Sequence, residues 1–444
     1  MFTGTTIGRR GTEWSTATSA VAGVWIPAII LRFVAVAVLV AGPWTDEPAD
    51  LDGWDVSRFQ EIAERTEPGW SSFPIEYPPG SVVVFDGLAG SSVVDTGRRL
   101  VVLAAAAEAL ATVLLWRRVG ARAGKAFLVL GTPLIPMGLL RLDLVVVAVA
   151  VAGAVLLIGR DDHDGNPAPH GWLTLPSPTD LSFGVLVAVG AMIKLWPALL
   201  VLGALALGRR TAALVAVCCS AVAGVAWLLV VGDGLEPVRQ VLSLRGATGW
   251  HVESLPGALV ALVTDQAATL QLNAYRIGTL REPVVLAGRV LAVATMAALV
   301  AAAGGLSLRQ DHRRTGPTSP AGSVEPTERF ALVMLGAVCA LLVTAPLLSP
   351  QFLLWVTPWA ALLFDDRSGS ATGGPADPRP AHNRLLSLVV AVLVLTGGTL
   401  LVFGPPNLAG TIPAVALTVR NLGLLAVTVG CLIALRNGLS DRPS

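Results

Sequence analysis

Charge is the scarcest commodity in this chain. Only 14% of its 444 residues are Asp, Glu, Lys or Arg, against roughly 25% in soluble domains, while 54% are hydrophobic and the mean hydropathy is +0.69. That balance excludes a soluble globular domain and leaves a polytopic membrane protein. A net charge of +1, with no basic stripe interleaved with aromatics, gives nucleic acid no footing. The four cysteines (Cys218, Cys219, Cys339 and Cys431) all fall in apolar runs, so neither disulfides nor a thiolate metal site is expected. The five histidines are scattered. Also missing are GxxxxGK[ST], a strand-linked GxGxxG and HExxH, the best signals of ATP-driven transport, dinucleotide chemistry and zinc proteolysis. The run Asp161-Asp162-His163-Asp164 has no second set of ligands near it and reads as solvated linker, and no internal repeat is evident.

What the chain has is apolar runs. They cover Val21–Ala41, Val101–Trp116, Ala126–Leu139, Leu144–Ile158, Leu181–Ile193, Leu195–Leu207, Ala212–Val231, Val284–Leu306, Phe330–Leu347, Phe352–Phe364, Leu385–Phe403 and Ile412–Leu435. This pattern predicts an all-α bundle of about twelve transmembrane helices in a single transmembrane domain, residues 1–444. Several runs fall short of the roughly 20 residues a span needs, which predicts tilted or broken helices around a cavity. The first run follows Arg9-Arg10 and a polar stretch and is too long for a signal-peptide core, so it is expected to be retained. Lys and Arg gather in alternate connections, among them Arg117, Arg118, Arg122 and Lys125, then Arg209 and Arg210, then Arg309, Arg313 and Arg314. That bias predicts cytoplasmic N- and C-termini. It makes residues 159–180, 307–329 and 365–384, rich in Pro, Gly, Ser and charge, flexible cytoplasmic loops. Residues 42–99 and 232–283 become the two large extracytoplasmic loops, the first of them acidic and aromatic.

The residues with chemical potential cluster on that outer side. Val56, Phe59, Ile62 and Ala63 recur at helical spacing after Asp55, predicting an amphipathic helix lying in the membrane interface. Asp55 then reads either as a cap on the first turn or as a general base for an acceptor hydroxyl, with Asp46, Asp50 and Asp52 competing for the second role. Glu76-Tyr77-Pro78-Pro79 puts a carboxylate and a phenol on a segment that proline keeps extended. Arg32, Glu108, Lys194 and Arg420 lie within or beside apolar spans, where an unpaired charge costs about 2.5–3.5 kcal/mol, so each should pair or bind a charged ligand. Arg141 and Asp143 flank an outer corner, and Lys194 falls between two half-length runs. Cations so placed suit a phosphate. The second outer loop offers Arg245 and then Trp250, His251 and Glu253, either an exposed sugar-stacking face or an ordinary interfacial Trp with its neighbours. Ser349-Pro350-Gln351 reads as a turn that needs no function.

The order Asp55-Val-x-Arg58-Phe59, Glu76-Tyr77-Pro-Pro, Arg141-x-Asp143, Ile193-Lys194-Leu-Trp-Pro197, Trp250-His251-Val-Glu253-Ser-Leu-Pro and Ser349-Pro-Gln351-Phe-Leu-Leu-Trp355 resembles the polyprenyl-phosphate-mannose-dependent mannosyltransferases of glycosyltransferase family 87. The resemblance runs from about Arg32 to the last span. It implies the GT-C fold, an actinobacterial plasma membrane setting, a polyprenyl-phosphate sugar as donor and inverting transfer to a glycolipid or glycan acceptor on the outer side. It makes Asp55 the base and puts Arg58, Glu76, Tyr77, Arg141, Asp143, Lys194, Arg245, Trp250, His251, Glu253 and Gln351 in contact with substrate. No metal or cofactor is expected, and membrane lipids are the remaining partners. The chain departs from the family's pattern where Asp86 and Asp95 interrupt the stretch after Pro79, and where Phe59 replaces a frequent Tyr. Transfer of another lipid-linked sugar such as arabinofuranose would use the same motifs. A transporter or lipid flippase also tolerates broken helices and buried charge, but should place its carboxylates at midmembrane in repeated halves. An inactive scaffold for envelope assembly would keep the helices without the charges at Asp55, Arg141 and Lys194.

Overall fold

The computed structural model describes residues 16–41, 53–65, 75, 77–158, 175–231, 234–242, 247–271, 274–314, 325–364, 380–403 and 410–440. In chain order the helices are α1 (Thr16–Ala41), α2 (Gly53–Ala63), α3 (Pro79–Leu88), α4 (Val93–Arg118), α5 (Ala121–Gly131), α6 (Ile135–Leu139), α7 (Asp143–Ile158), α8 (Pro178–Ile193), α9 (Leu200–Ala206) and α10 (Arg210–Val231). They continue with α11 (Glu236–Leu242), α12 (Leu255–Val263), α13 (Glu282–Arg314), α14 (Pro326–Thr344), α15 (Thr357–Leu362), α16 (Pro380–Phe403) and α17 (Thr411–Ser440). Seven described helices are long and apolar enough to cross a membrane: α1, α4, α10, α13, α14, α16 and α17. The chain is therefore a helical, multi-pass membrane protein.

The other five expected runs are short or broken. Helices α7 and α8 have 16 residues each, about 24 Å at 1.5 Å per residue, less than the roughly 30 Å of hydrocarbon. The remaining three contain 3-10 turns, at Thr132–Leu134 before α6, Trp196–Leu199 before α9 and Pro350–Trp355 before α15. Each turn carries a proline near its start, which removes a helical donor and fixes the bend. The backbone freed there is enclosed by protein: Leu134, Trp196, Leu353 and Leu354 are all buried. Helix α14 lies at the centre, with nearly every residue from Arg329 to Val343 buried.

Buried charge ties the periphery to this core. Arg32 of α1 donates to both oxygens of Glu108 in α4, at 2.9 and 2.7 Å, and to the Ala28 and Leu128 carbonyls and Thr132 Oγ1. A cation inside the bundle is thereby saturated by partners, as the cost of an unpaired one demands.

The structure refines four expectations. The apolar face of α2 meets protein instead of lipid: Val56, Phe59 and Ile62 are buried, Phe59 stacking on Phe85 of α3 at 4.3 Å. Among the described residues of the first outer loop, α4 begins at Val93, earlier than the expected apolar run, capped by Ser92 and with Asp95 paired to Arg99, while Asp86 stays exposed. The loop 232–283, for which no internal structure was expected, carries β1 (Trp250–His251), β2 (Thr269–Gln271) and β3 (Ala274–Ile277), an antiparallel sheet in the order β1-β3-β2. Finally, the expected loops 159–180, 307–329 and 365–384 are encroached on by helix: α8 starts at Pro178 behind a Ser177–Asp180 capping box, α13 runs on to Arg314, α14 starts at Pro326, and α16 starts at Pro380. Asp161–Asp164 lies outside the described residues.

Candidate functional site

The broken elements bring four charged side chains together. Helix α2 presents Asp55 in its first turn, and the corner between α6 and α7 presents Arg141. Arg141 Nε lies 2.7 Å from Asp55 Oδ2, a close ion pair whose angle falls short of an aligned hydrogen bond. On the far side of Leu142, Asp143 opens α7 with its carboxylate wholly buried. Lys194, which ends α8 in extended backbone, donates to both Asp143 oxygens at 2.8 and 2.9 Å. Trp355 Nε1 donates to Asp143 Oδ1 at 2.6 Å. The Lys194 ammonium also lies 5.0 Å above the Phe352 ring and 5.6 Å above Trp355, within reach of cation–π attraction.

The two pairs differ in access. Asp143 has no exposed surface, whereas the Asp55 side chain is 24% exposed. Asp55 is thus the carboxylate of this cluster that an incoming hydroxyl can reach. Arg58 follows one turn after Asp55, is buried, and pairs with Glu61 at 2.6 Å. Tyr77 packs edge-on against Phe59 at 5.7 Å and Phe85 at 5.2 Å, which fixes the entry to α3. Gly80 lets α3 approach the end of α8, since a Cβ there would stand 2.7 Å from the Met192 carbonyl oxygen. Ser81 Oγ closes the contact by donating to the Ile193 carbonyl.

That contact forms the head of an apolar groove of about 650 Å³ between α3, α8 and α10. Its walls include Val83, Val189, Ile193, Cys219 and Val222. Val83, Val189 and Val222 are exposed, so the groove faces outward from the bundle. Its lining ends one residue short of the charged cluster in sequence, since Ile193 immediately precedes Lys194. The volume lies in the range of ligand clefts, roughly 300–1,000 Å³.

The second outer segment goes elsewhere. Trp250, His251 and Glu253 are buried, where an exposed stacking face had been one of two expectations. Their polar atoms are committed: Arg420 Nη1 donates to Glu253 Oε2 at 2.9 Å, Arg420 Nη2 and Asn421 Nδ2 donate to the Glu253 carbonyl, and the Glu253 N–H donates to His251 Nδ1 at 3.3 Å. Burial, then the charges of Arg276 and Arg420, push His251 down to about 3 from its ordinary 6.5, so its ring is neutral at physiological pH. Gln351 is buried and bonded to Ser349. Glu76, Arg245, Asp46, Asp50 and Asp52 lie outside the described residues.

Sequence reasoning quoted Trp355 but gave it no role. Its bond to Asp143 spans 212 positions, and only the extra aromatic beside Phe352 hinted at it. Among the described residues no group of three or more His, Cys, Asp or Glu is placed to hold a metal ion.

No protein-family model matches the chain, and no curated protein matches it in sequence. Among solved structures it is similar to ArnT from Cupriavidus metallidurans in the apo state, at 14% identity and TM-score 0.43, over 94% of this chain and 78% of that one. The same protein bound to undecaprenyl phosphate is matched over the same shares at 14% identity and TM-score 0.39.

Proposed function

We propose that this chain is a membrane glycosyltransferase of the GT-C fold. In this reading it moves a sugar, mannose by the motif resemblance, from a polyprenyl-phosphate donor to a glycolipid or glycan acceptor on the outer side of the plasma membrane. The observation that carries the reading is the set of ion pairs at the α6–α7 corner: an accessible carboxylate, Asp55, beside Arg141, then Asp143 two residues on, paired with Lys194, whose neighbour Ile193 lines an apolar groove. The groove suits a polyisoprenoid chain and the cations suit its phosphate.

The chemistry is a single displacement. Asp55 takes the proton of the acceptor hydroxyl, whose oxygen bonds to the anomeric carbon as the bond from that carbon to the phosphate oxygen breaks. The electron pair leaves on polyprenyl phosphate, so no general acid is needed, unlike the paired carboxylates of glycoside hydrolysis. Backside attack inverts the anomeric centre. Arg141 and Lys194 stabilise the charge that develops on the leaving group. Arg141 serves twice, because the donor phosphate that draws it in also releases Asp55 from its ion pair.

Membranes containing the protein, given radiolabelled polyprenyl-phosphate mannose and a native lipid extract, should move label into a lipid or glycan fraction. Transfer only from polyprenyl-phosphate arabinofuranose would correct the sugar. If neither donor is consumed and labelled lipid instead crosses the bilayer of vesicles, the enzyme reading fails in favour of a flippase.

A further inference from the structure

The chain holds 31 Lys and Arg together, and only Lys125 and Lys194 are lysines. One of the two therefore stands at the candidate site in a chain that elsewhere uses arginine. The two cations differ where a fixed partner must be shared, because an ammonium has three donors on a compact head, while guanidinium is a planar fork. Asp143 takes two of the three Lys194 donors, at 2.8 and 2.9 Å, and among the described residues the third has no acceptor. Where that third donor points depends on how firmly the carboxylate is held.

Trp355 holds it. Its indole N–H reaches Asp143 Oδ1 at 2.6 Å. The ring cannot turn away, because it is stacked between Phe352, at 4.5 Å and 24°, and Trp196, at 5.3 Å and 18°. Trp196 in turn meets Trp359 edge-on at 6.3 Å, and Trp359 meets Phe330 of the central helix α14 at 5.8 Å. An aromatic chain thus runs from the buried middle of the bundle to the ammonium, and the faces of Phe352 and Trp355 lie under that ammonium. A wholly buried carboxylate with three good donors is fixed in orientation, and removing one leaves an oxygen under-satisfied.

We propose that Trp355 is a positioning residue for the transfer reaction. Through Asp143 it keeps the Lys194 ammonium oriented with one N–H turned to a phosphate oxygen of the lipid-linked donor. This rests on the transferase reading above. Trp355 does not touch substrate in this account, and its effect passes entirely through Lys194.

The test uses Trp355→Phe, which removes the N–H and keeps a ring, alone and combined with Lys194→Gln. In transfer assays with polyprenyl-phosphate mannose, Trp355→Phe should lower kcat/KM about tenfold, less than loss of the cation itself. That change should come through the donor, with the KM for acceptor unmoved. In the Lys194→Gln background the same substitution should change nothing further, because the group it positions is gone. A merely structural Trp355 would lower the folded fraction, leave the kinetics of the folded enzyme unchanged, and add its effect to that of Lys194→Gln. That outcome overturns the proposal.

A second measurement is independent of turnover. Protein labelled with 15N-lysine carries only two side-chain ammonium signals. Trp355→Phe should shift that of Lys194 and leave that of Lys125 in place. An unmoved Lys194 signal overturns the proposal even if transfer is seen. A shifted signal in a protein that transfers no sugar would sustain the positioning of Lys194 while the transferase reading fell.

Discussion

Two buried clusters of opposite charge, both reached from the segments between long helices, are built to different ends. Where the chain after β1 meets α17, Glu253 and Arg420 are closed: their side chains are 6% and 1% exposed, and Asn421 and the Glu253 carbonyl complete the network. At the α6–α7 corner the set Asp55, Arg141, Asp143 and Lys194 is closed at one end only. Asp143 is saturated by Lys194 and Trp355, while Asp55 keeps one exposed edge and, among the described residues, pairs with Arg141. Saturation in both directions makes a clamp; saturation in one direction leaves a group free to react, and the presence of charge does not distinguish them.

Substitutions that treat the two clusters alike should separate them. Asp55→Asn heads the order: transfer should fall about 10²–10⁴-fold, the usual worth of a general base, with less loss of stability than at the fully buried Glu253 because Asp55 is partly exposed. Glu253→Gln should do the converse, leaving Arg420 buried without its counter-charge and costing about 3–5 kcal/mol of stability by denaturant titration, while molecules that remain folded keep their rate. Lys194→Gln should lower kcat/KM about 10²-fold in steady-state assays through loss of charge stabilisation of the phosphate. A loss confined to stability would reassign Lys194 to the structural class. Filling the groove with Val189→Trp should raise the KM for a long-chain donor about tenfold, roughly 1.4 kcal/mol, and spare a short-chain donor. Equal effects on both chain lengths would detach the groove from the site.

The remaining effect concerns acid and leaves transfer untouched. His251 is held near 3 when folded and titrates near 6.5 when unfolded, so the unfolded state binds more protons between those values. Stability is therefore fully present above pH 6.5 and is lost as pH falls towards 3, by at most about 1.4 kcal/mol per pH unit. Thermal midpoints of His251→Gln across pH 4–7 should show a flatter acid limb than wild type. An unchanged limb would mean that other groups control the acid response.

The sequence made the helical, membrane-spanning class plain because composition and run length report directly on the bilayer. Short run length pointed to broken helices, but the break at Pro133 falls inside the run Ala126–Leu139 and was not placed by it. Cost alone required Arg32 and Glu108 each to pair or bind a charged ligand, and nothing in the sequence chose one for the other. Periodicity found the apolar face of α2 but not what covers it, because lipid and Phe85 are equally apolar. Trp250, His251 and Glu253 misled for a related reason: a Trp-His-x-Glu run suits either a sugar or a buried clamp, and the deciding residue, Arg420, is 167 positions away. The Trp355–Asp143 bond was illegible for the same reason of range.

The central claim is that Asp55 acts as the base beside a phosphate-binding pair of cations. Its most direct test is single-turnover transfer from radiolabelled polyprenyl-phosphate mannose by wild type and Asp55→Asn, with donor binding measured in parallel. The account predicts that the variant binds donor and transfers its sugar about 10³-fold more slowly. Transfer at the wild-type rate with donor bound would contradict it.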